Sequence, residues 1–212
     1  MSNTKTTNTS RQKVKSSRED WINTALDTLI TEGEEKVKVS LLSDKLKCAR
    51  SSFYWFFNSR ADLLDNLLEH WQQTNTAALI AQAEKPVSSI NMGLINLYYC
   101  WTTKGEFNTQ LDFAIRDWAR RSGTVRRAVD ISDSQRISAI ATMFTNFDYD
   151  PEEADVRARA VYFTQIGYDA LDQRETREQR IQRGKHYLYC MTGQKPSQEE
   201  LDYLSQQLLL DM

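Results

Sequence analysis

Residues 51–57 read Ser-Ser-Phe-Tyr-Trp-Phe-Phe, so that five consecutive residues of this stretch are aromatic. A single helix cannot bury all five on one face, because 3.6 residues fill each turn and neighbouring side chains point in different directions. Phe53 and Phe57 are four residues apart, which is the spacing that places two side chains on the same face. If this pair faces the protein, the opposite face of the helix remains open to solvent.

The residues around this stretch predict two short helices joined by a tight turn. The first short helix is expected at about 40–46, the turn at 47–49 and the second short helix at about 50–57. Helices of about seven residues are marginal alone, so longer neighbours must support them. One such helix precedes the stretch and ends at Gly33, and another starts at Ser59, a serine N-cap followed by an acidic residue three positions later.

The exposed face of the second short helix has the composition of a surface that enters the DNA major groove. Small hydroxyl side chains let the backbone approach the bases, arginine bonds guanine in a bidentate manner, and an aromatic edge packs on a thymine methyl. Lysine and arginine at helix starts and turns hold phosphates. The predicted DNA-binding residues are Lys38, Ser40, Lys47, Arg50, Ser51, Ser52, Tyr54, Trp55 and Arg60. The alternative is that the two polar aromatics pack in a helical core and the charges form a solvated face.

The segment from Val37 to Leu68 resembles the DNA-binding region of the TetR family of bacterial transcription regulators. The family pattern is roughly Leu-Gly-Val-Ser-x-Gly/Ser-Ser/Thr-Leu/Phe-Tyr-x-His-Phe, and residues 46–57 here read Leu-Lys-Cys-Ala-Arg-Ser-Ser-Phe-Tyr-Trp-Phe-Phe. The resemblance implies an all-α fold with a helix-turn-helix. It also implies that Tyr54 bonds a phosphate, that Lys38 and Arg60 lie against the DNA backbone, and that the groove residues are Arg50, Ser51, Ser52 and Trp55.

Three positions depart from the family pattern. Lys47 replaces the turn glycine, Ala49 replaces the serine that caps the recognition helix, and Phe56 replaces the usual histidine. Loss of a serine cap typically costs about 1 kcal/mol. A lysine where the turn favours glycine adds backbone strain, and a phenylalanine cannot hydrogen-bond a phosphate.

The rest of the chain also predicts helices. Only seven glycines and three prolines interrupt its 212 residues, and no alternating strand pattern persists beyond a few residues. Further helices are expected near 60–81, 87–103, 107–120, 124–147, 152–171, 176–192 and 197–209. We therefore predict an all-α chain with a disordered basic arm at 1–16, a helix-turn-helix DNA-binding domain at 17–62, and a helical ligand-binding and dimerisation domain at 63–212.

Charge is distributed unevenly along the chain. Residues 1–60 hold 11 Lys and Arg against 7 Asp and Glu, so that with a total charge of −2 the remainder carries −6. A basic front on an acidic body is typical of a polyanion-binding head. The sequence has no apolar run long enough for a membrane span, no signal-peptide pattern, and no disulfide or metal spacing among its three cysteines. These features predict a cytoplasmic protein without a membrane partner, metal or cofactor.

A helix-turn-helix protein usually binds DNA as a twofold dimer, because one short helix reads too little sequence. Two predicted helices, 152–171 and 176–192, carry stripes that mix small and apolar residues, as helices of a four-helix bundle do. The residues predicted to form a homodimer interface are Val156, Ala160, Phe163, Gly167, Ile181, Gly184, Leu188 and Met191. The alternative is that both stripes pack on the core of their own subunit.

An aromatic-rich part of the body, with charged residues among the apolar ones, predicts a small-molecule pocket. A buried charge must be paired or meet a ligand. The predicted pocket residues are Trp101, Phe113, Arg116, Asp117, Asp133, Phe144 and Tyr162. The alternative is a structural network of charged residues, of the Arg116–Asp117 type, or plain solvent exposure.

These features together predict a transcription regulator that binds a double-stranded DNA operator. By the habit of the family it is a repressor, released by an unknown small-molecule effector. The effector is expected to favour a conformation whose two heads are wrongly spaced for successive major grooves, about 34 Å apart. The long helix at 60–81 is expected to carry this movement.

Two other classes of function fit the sequence less well. An enzyme is not predicted, because the chain has two histidines and no Ser-His-Asp set, zinc spacing or glycine-rich phosphate loop. A helical enzyme would need turnover that depends on Asp133 or Arg116. The main alternative is an all-α protein-interaction module that contacts another protein through Tyr54 and Trp55 without binding DNA.

Overall fold

The computed structural model describes residues 16–103, 105, 107–173 and 175–209. Every regular element in these residues is helical, so the all-α prediction is confirmed. The predicted arm at 1–16 lies outside the described residues except for Ser16. The α-helices are α1 (Arg18–Glu32), α2 (Val39–Lys45), α3 (Arg60–Trp71), α4 (Ala77–Ala83), α5 (Ile90–Thr102), α6 (Thr109–Ala119), α7 (Gly123–Thr145), α8 (Pro151–Ala170), α9 (Arg177–Thr192) and α10 (Gln198–Leu209).

The chain divides into two compact units, and the boundary between Leu67 and Leu68 falls within α3. The first unit contains α1, α2 and the start of α3. Helix α1 begins at a capping box, in which the backbone N–H of Asp20 donates to the Ser17 hydroxyl and the Ser17 N–H donates to the Asp20 carboxylate. Gly33 ends this helix with a φ of 87°, a conformation that suits glycine.

The core of the first unit is an aromatic cluster supported by leucines. The rings of Trp21 and Phe53 meet edge to face with centroids 5.2 Å apart, and Phe53 stacks on Phe57 at the same separation. Phe53 is 0% and Phe57 is 2% exposed, which confirms that this pair faces inward. Burying each such side chain contributes about 1.5–3 kcal/mol. The cluster therefore anchors the segment between α2 and α3.

That segment is not the α-helix expected at 50–57. Arg50–Trp55 instead forms a 3₁₀ helix, which we call the recognition segment. The Ser52 N–H and the Ser52 hydroxyl both donate to the Ala49 carbonyl, at 3.0 and 2.7 Å. These bonds to the residue three positions earlier favour the tighter 3₁₀ winding over the α-helix.

The long helix expected at 60–81 is also interrupted. Between α3 and α4, residues Gln72–Thr76 widen into a single π-helical turn. Asn75 and Thr76 are buried here: the Asn75 side chain bonds both backbone groups of Asn108, and the Thr76 hydroxyl accepts from Arg136. The wider turn thus presents polar side chains to buried partners, an arrangement that often marks functional positions.

The second unit is built around α5, which is buried along most of its length. Helix α7 packs against α4, α6 and α8, and α10 packs against α5 and α9. The shared core contains apolar side chains from α4, α5, α7, α8, α9 and α10, among them Leu79, Leu97, Ile140, Phe144, Tyr162, Leu188 and Leu204.

Candidate functional site

The recognition segment exposes two large aromatic side chains. Tyr54 is 63% and Trp55 is 71% exposed, and Arg50 and Ser51 are exposed beside them. The Tyr54 ring packs edge to face on the buried Phe53 ring, with centroids 5.2 Å apart. The buried anchor therefore holds the exposed ring in place. Exposed aromatic groups of this size mark interaction surfaces on soluble proteins.

Ser52 lies differently from its predicted neighbours in the recognition segment. Its side chain is half-buried, donates to the Ala49 carbonyl and lies 3.4 Å from the hydroxyl oxygen of Ser16. Ala49 occupies the N-cap position, where it offers no side-chain hydrogen bond. Ser52 therefore positions the start of the segment.

Lys47 adopts the left-handed backbone conformation, with a φ of 53°. This is the turn position at which the family pattern has glycine, and only a glycine reaches this conformation without a steric cost from Cβ. The Lys47 side chain is exposed. The departure from the family pattern is therefore accommodated by backbone strain, while the turn keeps its shape.

The predicted basic residues divide into bonded and open groups. Arg60 donates from Nε to the Val37 carbonyl at 2.6 Å and from Nη2 to the Glu34 carbonyl at 2.8 Å, and it forms an ion pair with the Glu34 carboxylate. Arg60 thus ties α3 to the loop before α2. Lys38, Lys47 and Arg50 are exposed, and within the described part of the chain none of them forms an ion pair.

Ser40 lies in the first turn of α2 and is half-buried. Its carbonyl accepts a hydrogen bond from the Ser43 hydroxyl at 2.8 Å. Lys38, at the N-cap of the same helix, makes no side-chain capping bond. The start of α2 therefore presents an exposed lysine side chain.

Three of the predicted pocket residues belong to a network of buried charges. Arg116 donates to both oxygens of Asp133 at 2.7 and 2.9 Å, and to the Tyr162 hydroxyl at 2.8 Å. The Tyr162 hydroxyl in turn donates to Asp133 at 2.7 Å. These groups satisfy one another, which is the structural network that the sequence left open as an alternative.

Asp112 and Arg136 complete this network. The Asp112 carboxylate accepts from Arg116 at 2.8 Å, from Arg136 at 2.9 Å and from the Trp71 indole N–H at 2.8 Å. Burial opposes ionisation of Asp112, yet the positive charges of Arg136 and Arg116 hold its pKa below the ordinary value. Arg136 is 0% exposed and lies over the Trp71 ring. The only sequence signal for Arg136 is its position in an apolar stripe of α7.

The remaining predicted pocket residues do not come together. Phe113 and Asp117 border a surface cavity of about 180 Å³ together with Arg116 and Asp169. Phe113 is exposed, and Asp117 pairs with Arg121 at 2.6 Å. Phe144 is buried in the core.

Trp101 borders a different cavity, of about 90 Å³, enclosed by α5, α8, α9 and α10. Most of its wall is apolar, and its polar lining residues include Tyr98, Arg180, Tyr168 and Tyr187. Sequence reasoning missed Arg180, although Arg180, Gly184, Leu188 and Met191 follow the i, i+4, i+8, i+11 spacing of a single helix face.

The predicted dimer residues also divide between the two helices. On α8, Val156, Ala160 and Phe163 are exposed and Gly167 is half-buried. On α9, Ile181 and Met191 pack partly against the core, and Leu188 lies inside it. A Cβ added at Gly184 would lie 2.4 Å from a methyl carbon of Leu204, so this glycine instead packs on α10. Only the α8 part of the predicted interface is open.

Among the described residues, no group of three or more His, Cys, Asp or Glu side chains has a metal-binding arrangement. In the same part of the chain, no helix is long and apolar enough to cross a membrane.

Comparison with known proteins places the fold. No protein-family model and no curated protein matches the chain. Salmonella enterica GusR matches with a TM-score of 0.57 and 13% identity, covering 90% of this chain and 92% of its own. The reduced form of NemR from E. coli gives 0.58 and 16%, covering 85% and 99%, and a Rhodococcus protein assigned to the TetR family gives 0.57 and 13%, covering 89% and 98%. The chain has the all-α fold of the TetR-family transcription regulators.

Proposed function

We propose that this protein is a DNA-binding transcription regulator that reads its operator with the recognition segment. The observation that carries the proposal is the exposure of Tyr54 and Trp55 on a segment whose Phe53 and Phe57 are buried. A side chain that contributes to a core gains stability from burial, whereas these two large rings stay in water. Their position in a helix-turn-helix of the TetR fold favours a DNA groove as the surface that covers them.

The exposed residues of the unit supply each kind of contact that a groove requires. Arg50 offers a bidentate donor to guanine, Ser51 allows close approach, and Trp55 offers an apolar edge to thymine methyl groups. The Tyr54 hydroxyl, Lys38 and Lys47 bind phosphates. We propose that Ser40, Ser52 and Arg60 hold this surface in place and do not contact bases. All three side chains are half-buried, and those of Ser52 and Arg60 form hydrogen bonds within the protein.

The regulator acts as a homodimer in this proposal. Helix α8 exposes Val156 and Phe163. The small residue Ala160 lies between them on this helix, and Gly167 follows Phe163 by one turn. A stripe of small and apolar residues lets two helices approach closely across a twofold axis. Two recognition segments then reach successive major grooves, about 34 Å apart on one side of the duplex. The domains proposed at 17–62 and 63–212 divide DNA binding from dimerisation.

A small-molecule effector that favours another spacing of the two segments would release the operator, and the protein would act as a repressor in the cytoplasm. The cavity bordered by Trp101 supports this part of the proposal, because it is the largely apolar, concave kind of site that binds small molecules. The network around Arg116 and Asp133 has a structural role in this account, since its members already bond one another.

Selection of bound fragments from a random duplex library tests the proposal. We expect the purified protein to enrich an inverted repeat, because a twofold dimer reads two equal half-sites. Affinity for the enriched duplex should fall steeply as salt rises, because binding releases counterions from the phosphates. If no sequence is enriched and weak binding does not depend on salt, the protein is an interaction module that uses Tyr54 and Trp55 on another protein.

A further inference from the structure

The cavity enclosed by α5, α8, α9 and α10 has an apolar wall and a polar end. Six aliphatic side chains form most of the wall: Leu94, Ile95, Val161, Leu188, Met191 and Leu204. The polar end contains the hydroxyls of Tyr168 and Tyr187, which hydrogen-bond each other. A molecule bound there must be mostly apolar and carry a polar group at one end.

The charge of the cavity is set by Arg180. Its half-buried guanidinium makes one long hydrogen bond, of 3.4 Å, to the Tyr98 hydroxyl, and no carboxylate in the described part of the chain pairs with it. Glu175 also borders the cavity, but it already forms an ion pair with Arg183. The guanidinium of Arg180 therefore places a positive charge without an ionic partner at this largely apolar cavity. Such a charge favours binding of an anion.

We propose that this cavity binds a compact apolar molecule that carries one carboxylate. The carboxylate pairs with Arg180, and the apolar body packs against the aliphatic wall. A cationic ligand is disfavoured, because Arg180 repels it and Glu175 is already paired. The inference rests on the proposed function and names the chemical class of its effector.

Isothermal titration of the DNA-free protein with matched small molecules tests this class. The probes are benzoate with its neutral analogue benzamide, and butyrate with butyramide. Benzylamine is the cationic probe. We expect each carboxylate to bind about tenfold tighter than its amide, because charge-assisted bonds are about twice as strong as neutral ones. Benzylamine should bind more weakly than benzamide.

Two variants assign the preference to residues. Arg180→Gln should bring the affinities for benzoate and benzamide within about twofold of each other, since only the ion pair is lost. Lys185→Gln removes the same charge from the exposed side of α9 and should change neither affinity.

The proposal is overturned if wild-type protein binds amides as tightly as carboxylates, if Arg180→Gln keeps the preference, or if no probe binds at about 10 mM, a concentration sufficient for weak fragments. None of these readouts involves DNA. A protein that binds carboxylates through Arg180 but enriches no duplex sequence would remove the regulator function and leave the ligand class standing. A protein that enriches a duplex sequence but shows no preference for carboxylates would contradict the ligand class and leave the regulator function standing.

Discussion

The rings of Trp21 and Phe53 meet edge to face, with centroids 5.2 Å apart and an angle of 72° between their planes. Trp21 comes from α1 and Phe53 from the recognition segment, so this contact joins the segment to the helix that supports it. Both side chains are completely buried. The buried Phe53 therefore sets the orientation of the segment, and its exposed neighbours Tyr54 and Trp55 form the outer surface.

Replacing Phe53 should lower stability far more than replacing Trp55. Phe53→Ala removes a fully buried ring and should lower the free energy of unfolding by about 3–5 kcal/mol. Trp55→Ala removes an exposed ring and should change it by no more than about 0.5 kcal/mol. Urea unfolding followed by circular dichroism measures both. A large loss of stability in Trp55→Ala would mean that its ring packs within the protein.

The backbone at Lys47 predicts an order of stability among variants. At a φ of 53° a β-branched side chain meets the largest steric cost, asparagine meets less, and glycine meets none. Lys47→Val should therefore be less stable than Lys47→Asn by about 1 kcal/mol, with Lys47→Gly at least as stable as the asparagine variant. All three variants remove the same charge, so differences in their urea midpoints report the backbone alone. Equal midpoints for the three would show that the turn does not hold this conformation.

Two aspartates of α6 provide a matched test of the buried charge network. Asp112→Asn leaves Arg136 and Arg116 without their shared carboxylate and should cost about 3–5 kcal/mol of stability. Asp117→Asn breaks an exposed pair with Arg121 at the same i, i+4 spacing and should cost less than about 1 kcal/mol. Thermal unfolding of the two variants measures the difference.

The pH dependence of the Asp112 effect follows from its lowered pKa. The charged form is favoured in the folded state, so this contribution is present above the ordinary pKa of 3.8 and is lost as the pH falls through the folded value. The difference in the free energy of unfolding between wild type and Asp112→Asn should therefore be largest at pH 7 and should decrease in acid. A gap that widens on acidification would contradict the assignment of charge.

The structure departs from the sequence predictions where long-range contacts decide the outcome. The inward direction of Phe53 and Phe57 follows from local spacing alone, and it was predicted. Two partners of Arg116, Asp133 and Tyr162, lie 17 and 46 residues away, so no local pattern could pair them with it. Spacing along the chain therefore could not show that these charged groups hydrogen-bond one another.

The winding of the chain also departs from the expected α-helix in two places. The Ser52 hydroxyl bonds the carbonyl three residues earlier and favours a 3₁₀ helix where a seven-residue α-helix was expected. At residues 72–76, the π-helical turn depends on burial of Asn75 and Thr76 against distant partners. Propensity alone cannot supply those partners.

Asp169 should make the protein less stable as the pH rises through the range from about 4 to 6. Burial raises the pKa of this carboxyl to about 6, against an ordinary value of 3.8, although a hydrogen bond from Gln165 partly opposes the shift. The folded state therefore holds a proton that the unfolded state has released within that range, and stability declines until Asp169 is ionised.

Asp169→Asn keeps an oxygen that can accept from Gln165 and removes the titration. Its melting temperature should exceed that of wild type at pH 7.5, and the two should converge towards about pH 4. Asp155→Asn, on the exposed face of α8, should differ little from wild type at either pH. A constant difference for Asp169→Asn across this range would show that the carboxyl is already ionised at low pH.

The most direct test of the account is the affinity of wild-type protein and Trp55→Ala for the duplex enriched from the random library, measured by fluorescence anisotropy at one fixed salt concentration. Equal urea midpoints establish beforehand that both proteins are folded. The account predicts that Trp55→Ala binds this duplex at least about fivefold more weakly, since each good base contact contributes about 1–3 kcal/mol of discrimination. Equal affinity of the two proteins would contradict the claim that the recognition segment enters the groove.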